Sequence, residues 1–110
     1  MDKRKQRRLE VRGWRLGTAA EFLDLSPEEA ALVEMKLRLS HALRRRRIAL
    51  HVSQAGLAKR LGSSQSRVAK MEAADRSVSI DLLLRGLLAL GATPRDVARA
   101  LQYRSPRAAA

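Results

Sequence analysis

The sequence contains no cysteine, which excludes disulfide bonds and zinc sites built on cysteine ligands. It has one tryptophan, one tyrosine and one phenylalanine, so aromatic residues make up only 3% of the chain. The core must therefore be built from leucine, alanine, valine and isoleucine. No apolar run approaches the roughly 20 residues of a membrane span, and the charged N-terminus is not followed by the apolar stretch of a signal peptide. We expect a cytoplasmic protein that makes no membrane contact.

Residue types that carry out catalysis or bind metals are also scarce. The two histidines, His41 and His51, have no Asp or Glu at ligand spacing. The sequence shows no histidine–nucleophile pair with an orienting acid and no glycine-rich loop that would cradle a phosphate. We therefore expect neither an enzyme nor a bound cofactor or metal.

Basic residues are abundant instead. Lys and Arg number 23 against 11 Asp and Glu, which gives a formal charge of +12 and a pI near 11.6. Such an excess favours polyanionic partners, nucleic acid first. Residues 1–12 hold six Lys or Arg and few apolar residues, so we expect a flexible basic arm. The arm either follows a DNA backbone or groove, or only increases solubility. Residues 102–110 are expected to form a flexible tail.

The stretch 53–74, SQAGLAKRLGSSQSRVAKMEAA, predicts two short helices joined by a tight turn. The first helix is expected over Gln54 to Leu61 and the second over about Gln65 to Ala73. Ser53 and Ser64 are suited to cap the two helices, because a serine oxygen can accept a free N–H of the first turn. Gly62 is suited to the turn, where a left-handed residue is easiest to accommodate.

Spacing within this stretch separates a buried face from an exposed one. Leu57, Leu61, Val68 and Met71 are placed to form one core, and Ala58 is small where the helices must cross. The opposite face of the second helix carries a polar and basic set, namely Gln65, Ser66, Arg67 and Lys70. The N-terminus of that helix also favours anions through its dipole.

This pattern resembles the helix-turn-helix of the Xre/Cro/phage-repressor family. The resemblance implies an all-α, five-helix, lambda-repressor-like domain over 27–101, with a short N-terminal helix and the basic arm outside it. It implies that Gln65, Ser66, Arg67 and Lys70 read bases, with adenine the usual partner of a glutamine. The proposed phosphate contacts are Ser53, Gln54, Ser64 and Arg76. The resemblance also aligns Arg47 and Glu72 with a partly buried ion pair of the family.

Cap signals predict the remaining helices. Residues 13–26 are expected to anchor on Trp14 and to carry a short helix that begins at a Thr18–Glu21 capping box. Ser26-Pro27-Glu28-Glu29 predicts a helix to about Leu50 with an inner stripe, namely Leu32, Met35, Leu39, Leu43 and Leu50. Ser79 is suited to cap a helix over Ile80 to Leu90. Thr93-Pro94 predicts a last helix to about Leu101, with Val97, Ala98 and Leu101 inward.

The helix that begins at Ile80 is apolar almost all round. Its leucines are Leu82, Leu83, Leu84, Leu87, Leu88 and Leu90, and we expect the first five to serve both core and dimer contacts. One subunit of this size does not offer enough surface to bury every face of such a helix. The sequence therefore predicts a homodimer, which would bind a pseudo-palindromic DNA operator.

Two longer stretches resemble HigA-type antitoxins: GWRLGTAAEFLDLSPEEAALVEMKLRLSHAL before the helix-turn-helix and SVSIDLLLRGLLALGAT after it. That resemblance implies a repressor of its own operon that neutralises a RelE-like toxin. Acidic residues at Glu21, Asp24, Glu28 and Glu29 would then form the docking patch for a basic toxin. The alternatives are a plain Xre-family regulator without a toxin and a non-specific nucleic-acid-binding protein.

Overall fold

A computed structural model describes residues 25–102, and this part of the chain is helical. Its helices are α1 Pro27–Ala49, α2 Gln54–Leu61, α3 Gln65–Glu72, α4 Ile80–Ala89 and α5 Pro94–Gln102. The five-helix, all-α prediction is thus confirmed for residues 25–102. The basic arm, the anchor segment with Trp14 and its capping box at Thr18, and the tail beyond Gln102 lie outside the described residues.

Residues from Met35 through α5 belong to one compact unit, whereas residues 25–34 belong to another. Within residues 25–34, α1 begins with a reciprocal cap. The Ser26 N–H donates to Glu29 Oε1 at 3.0 Å, and the Glu29 N–H donates to Ser26 Oγ at 3.1 Å. The hydrogen bond that the Ser26 N–H donates to the Glu29 carboxylate is the main cause that lowers the pKa of Glu29, and the Ser26 hydroxyl adds to it. The helix therefore starts where the Ser-Pro-Glu-Glu signal predicts.

The larger unit has one core, into which α1 to α4 and the loops beside α4 send apolar side chains. Its buried residues are Leu39, Leu43, Leu57, Ala58, Val68, Met71, Val78, Leu83, Leu87, Leu90 and Ala92. Gly86 allows α4 to cross close to α1 and α3. A Cβ atom there would lie 3.0 Å from both Leu43 Cδ1 and Met71 Cε. Leucines and alanines thus fill the core, as the shortage of aromatic residues requires.

Helices α1 to α4 all end in the same way. A left-handed residue follows each helix, and the next residue donates its N–H to a carbonyl five positions back, as in the Schellman motif. The left-handed residues are His51, Gly62, Ala74 and Gly91, with φ of 59°, 63°, 54° and 85°. Glycine is the usual residue in this conformation. His51 and Ala74 adopt this conformation although, unlike glycine, they have a Cβ atom.

Three expectations about inward-facing residues are wrong. Leu32 and Leu50 are 51% and 48% exposed, so the inner stripe of α1 is reduced to Leu39 and Leu43 with Met35 partly buried. Leu50 falls in the turn that follows α1, where helical spacing no longer fixes its direction. Ala98 is exposed, and Ala100 packs against the core together with Val97 and Leu101.

Candidate nucleic-acid interface

The segment from α2 to α3 is fixed by two serine caps and one glycine. Ser53 Oγ accepts the Gly56 N–H at 2.9 Å, and Ser64 Oγ accepts the Arg67 N–H at 3.2 Å. Gly62 lies between them in the left-handed region, with φ of 63°. The chain therefore turns sharply and restarts as a new helix, α3, within three residues of the end of α2.

One side of α3 is buried in the core and the other faces solvent. Val68 and Met71 are fully buried against α2, where Leu57 is also buried and Ala58 is 3% exposed. The four residues expected to read bases, Gln65, Ser66, Arg67 and Lys70, are all exposed. Ala69 is partly buried and Ala73 is exposed on the same helix. We call the surface formed by Gln65, Ser66, Ala69, Lys70 and Ala73 the outward face of α3.

An ion pair connects the end of α3 to the end of α1. Arg47 Nε donates to Glu72 Oε2 at 2.5 Å and Arg47 Nη2 donates to Glu72 Oε1 at 3.0 Å, a two-point contact. The side chains are 13% and 5% exposed, so the pair is largely buried. The hydrogen bond that Arg47 donates to the Glu72 carboxylate is the main cause that raises the pKa of Arg47. The ion pair implied by the family resemblance is present in the structure.

Two further groups complete this network. Arg47 Nη1 donates to the Val52 carbonyl at 2.9 Å, which holds the loop between α1 and α2. Gln54 Nε2 donates to Glu72 Oε1 at 3.2 Å. Gln54, expected at a phosphate, thus also supports the carboxylate that holds α3. This second contact was not predicted, because Gln54 and Glu72 are 18 residues apart, with no local spacing to link them.

The other residues expected at phosphates lie at two helix starts and in a loop. Ser53 and Ser64 use their hydroxyl oxygens as caps, and Ser64 Oγ also lies 3.1 Å from Ser66 Oγ. Arg76 is exposed in the loop after α3, and its carbonyl accepts a hydrogen bond from Lys36 Nζ at 3.4 Å. The loop also contains Asp75, whose pKa is lowered by hydrogen bonds from the Ser77 hydroxyl and N–H.

The four successive arginines at the end of α1 point in different directions, as four neighbouring positions on a helix must. Arg44 and Arg45 are exposed, whereas Arg47 joins Glu72. Arg46 Nε donates to the Leu90 carbonyl at 2.9 Å, and Arg46 Nη1 lies 3.8 Å from Asp96 Oδ2. The structural role of Arg46 at the end of α4 was not predicted, since only helix packing brings residues 46, 90 and 96 together.

The leucines of α4 are more fully buried within one subunit than the sequence suggested. Leu83 and Leu87 are buried, and Leu82 and Leu84 pack partly against the same core. Only Leu88 of the five is largely exposed, at 54%. The inference that a single subunit leaves a broad leucine face uncovered is therefore corrected, because four of these five leucines are buried or partly buried in the core of one chain.

Comparison with known proteins identifies the family to which this chain belongs. A family described as Helix-turn-helix matches residues 43–97, which is half of the 110-residue chain. The chain belongs to this helix-turn-helix family. Comparisons with curated proteins and with solved structures find no match.

The matched range of the helix-turn-helix domain runs from the buried Leu43 in α1 to Val97 in α5. It contains the whole α2–turn–α3 segment and both partners of the Arg47–Glu72 ion pair. The family is one of DNA-binding regulators, and this protein is a DNA-binding regulator. Among residues 25–102, no helix is long and apolar enough to cross a membrane, and no three metal-binding side chains come together.

Proposed function

We propose that this helix-turn-helix protein is a sequence-specific transcriptional repressor, with α3 as its recognition helix. The observation that supports this most directly is the outward face of α3. Gln65, Ser66 and Lys70 are exposed there, while Val68 and Met71 on the opposite side are fully buried. A helix held in this way is suited to enter the major groove with its polar side chains toward base edges.

The charges around α3 support the same proposal. Arg67 and Lys70 on α3 are exposed, as are Lys59 and Arg60 at the end of α2. Cations around a recognition helix neutralise DNA phosphates and release counterions, which gives affinity without specifying sequence. Ser53, Gln54, Ser64 and Arg76 are proposed to contact phosphates and so to fix the register of α3 on the duplex.

Selection of bound DNA from a random pool tests sequence specificity. We expect an enriched pseudo-palindrome whose half-sites lie about 34 Å apart, one turn of DNA. Gln65→Ala should relax the preference at one base position in each half-site, by about 1–3 kcal/mol of discrimination. An operator preference that is identical in wild type and Gln65→Ala would contradict the role of Gln65.

A competition experiment separates this proposal from non-specific binding. Specific complexes should persist in a large excess of random DNA at rising salt, because base contacts add to the affinity that phosphate contacts provide. If the excess DNA displaces the protein from every sequence equally, binding is non-specific. Deletion of the basic stretch 1–12 would then test whether this stretch is responsible for the non-specific binding.

We further propose that the repressor acts as a homodimer. The exposed Leu88 on α4 offers an apolar contact next to the buried Leu87. Leu88→Glu should shift the protein toward monomer in analytical ultracentrifugation and weaken operator binding. Leu37→Glu is the matched control, because Leu37 on α1 is similarly exposed, at 46% against 54%. A dimer that survives Leu88→Glu would place the interface elsewhere.

An antitoxin role is the more specific form of this proposal. It is supported by the resemblance of residues 13–43 and 77–93 to HigA-type antitoxins, and by the exposed acids Glu28 and Glu29 at the start of α1. Co-expression with a small RelE-like toxin encoded beside this gene should give a co-purified complex and restore growth. If the neighbouring genes encode no such toxin, the protein is a plain regulator of the same family.

A further inference from the structure

The outward face of α3 includes two residues that cannot form side-chain hydrogen bonds. Residues four apart lie in rows along a helix, so Gln65, Ala69 and Ala73 form one row and Ser66 and Lys70 form the next. Arg67 lies outside these two rows, in the row of the buried Met71. The row that begins at Gln65 therefore presents two methyl groups, next to the row of Ser66 and Lys70.

Ala69 occupies the middle of its row. It follows Gln65 by one turn and is partly exposed, whereas Ala73 comes a turn later, at the C-cap of α3. Recognition helices of this type contact base edges mainly with their N-terminal residues. Ala69 is thus closer than Ala73 to the part of the helix that is expected to reach the bases.

A methyl group has one specific partner in the major groove. Thymine carries a C5-methyl there, while the other base edges present hydrogen-bond donors and acceptors. An alanine against cytosine or guanine would remove water from polar atoms without replacing their hydrogen bonds. The small side chain of Ala69 also allows the helix to approach the groove closely.

We propose that Ala69 is a specificity-determining residue that contacts the C5-methyl of a thymine. Ala69 follows Gln65 by four residues, a rise of about 6 Å along the helix. With base pairs about 3.4 Å apart, this thymine lies about one or two base pairs from the base that Gln65 reads. The assignment rests on the proposed function, since it takes α3 as the recognition helix.

Deoxyuridine provides the test, because it differs from thymidine only by the missing methyl group. Each thymine of one selected half-site is replaced in turn, and binding is measured with wild type, Ala69→Gly and Ala73→Gly. For wild type, we expect about a fourfold loss of affinity at one thymine, the effect of one buried methyl. The loss should disappear in Ala69→Gly and remain in Ala73→Gly.

The ratio of affinities for thymine and uracil operators is taken within each variant. Any loss of helix stability caused by glycine therefore affects both measurements equally and cancels. If uracil has no effect at any position in wild type, or if its effect persists in Ala69→Gly, the inference is overturned. Base-pair substitutions in the same operator keep this separate from the proposed function. If they too leave binding unchanged, sequence-specific recognition itself fails and the assignment of Ala69 fails with it.

Discussion

The Arg47–Glu72 ion pair should be the most stabilising polar contact between α1 and α3. Glu72→Gln keeps the shape of the side chain but removes its charge, and it leaves the guanidinium of Arg47 in a site where that side chain is only 13% exposed. Breaking one partner of a buried pair typically costs about 3–5 kcal/mol. Because glutamine can still accept one hydrogen bond from Arg47, we expect a loss near the lower limit, about 3 kcal/mol.

The chain contains a matched control for this substitution. Asp81 and Arg85 also form a carboxylate–guanidinium contact, at 3.2 Å, but their side chains are 73% and 70% exposed. Asp81→Asn should therefore cost less than about 0.5 kcal/mol, as is usual for exposed helical pairs. The two variants make the same chemical change, but the Glu72 side chain is buried and accepts three side-chain hydrogen bonds, whereas that of Asp81 is exposed.

Urea denaturation followed by circular dichroism measures both variants. Glu72→Gln should lower the midpoint strongly with an unchanged slope, and its melting temperature should fall by about 10 °C or more. A double-mutant cycle with Arg47→Ala and Glu72→Ala should give a combined loss well below the sum of the single losses. If Glu72→Gln and Asp81→Asn destabilise equally, burial does not strengthen this pair and our explanation of how α3 is held is wrong.

Three further predictions concern stability. Ser40 is 2% exposed and its hydroxyl has no hydrogen-bond partner within the described chain, so Ser40→Ala should raise the free energy of unfolding by about 1 kcal/mol; a loss on urea denaturation would contradict this. The backbone of Ala74 is in the left-handed region, so Ala74→Gly should also raise the free energy of unfolding by about 1 kcal/mol. Ala73 has φ of −88°, so Ala73→Gly should not stabilise the protein. Hydrogen bonds from the Thr93 N–H and hydroxyl lower the pKa of Asp96 below its ordinary 3.8. The stability that its carboxylate contributes is complete above pH 3.8 and is lost as the pH falls through the lowered pKa. An acid titration of Asp96→Asn should therefore show a flatter loss of stability than wild type in that range, and an equal slope would contradict this.

Within residues 25–102, helix positions were predicted almost to the residue because the signals that set them are local. Serine caps at Ser53, Ser64 and Ser79 fix where α2, α3 and α4 begin, through hydrogen bonds to a residue three positions on. Helix ends were less exact, by one residue. Gly62 and Gly91 signal left-handed caps, whereas His51 and Ala74 adopt the same conformation without any signal in their residue type.

The contacts that could not be predicted join residues far apart in the chain. Gln54 reaches Glu72, Arg46 reaches the Leu90 carbonyl, and Arg38 donates to the Leu101 carbonyl. Composition likewise did not reveal how fully the leucines of α4 are covered, because that depends on which neighbours pack around Gly86. The exposed side of α3 was predicted correctly, because helical spacing and the two buried positions Val68 and Met71 determine which residues face solvent.

On α3, the residues that are buried in the domain are not the residues that face solvent. This affects how related regulators can diverge. The side chains of Val68, Met71 and Glu72 are buried in the domain, while Gln65, Arg67 and Lys70 are exposed to solvent. Substitutions at the exposed positions can therefore accumulate with little penalty to folding. A duplicated copy of this gene would be free to drift toward a new target site while it keeps an intact scaffold.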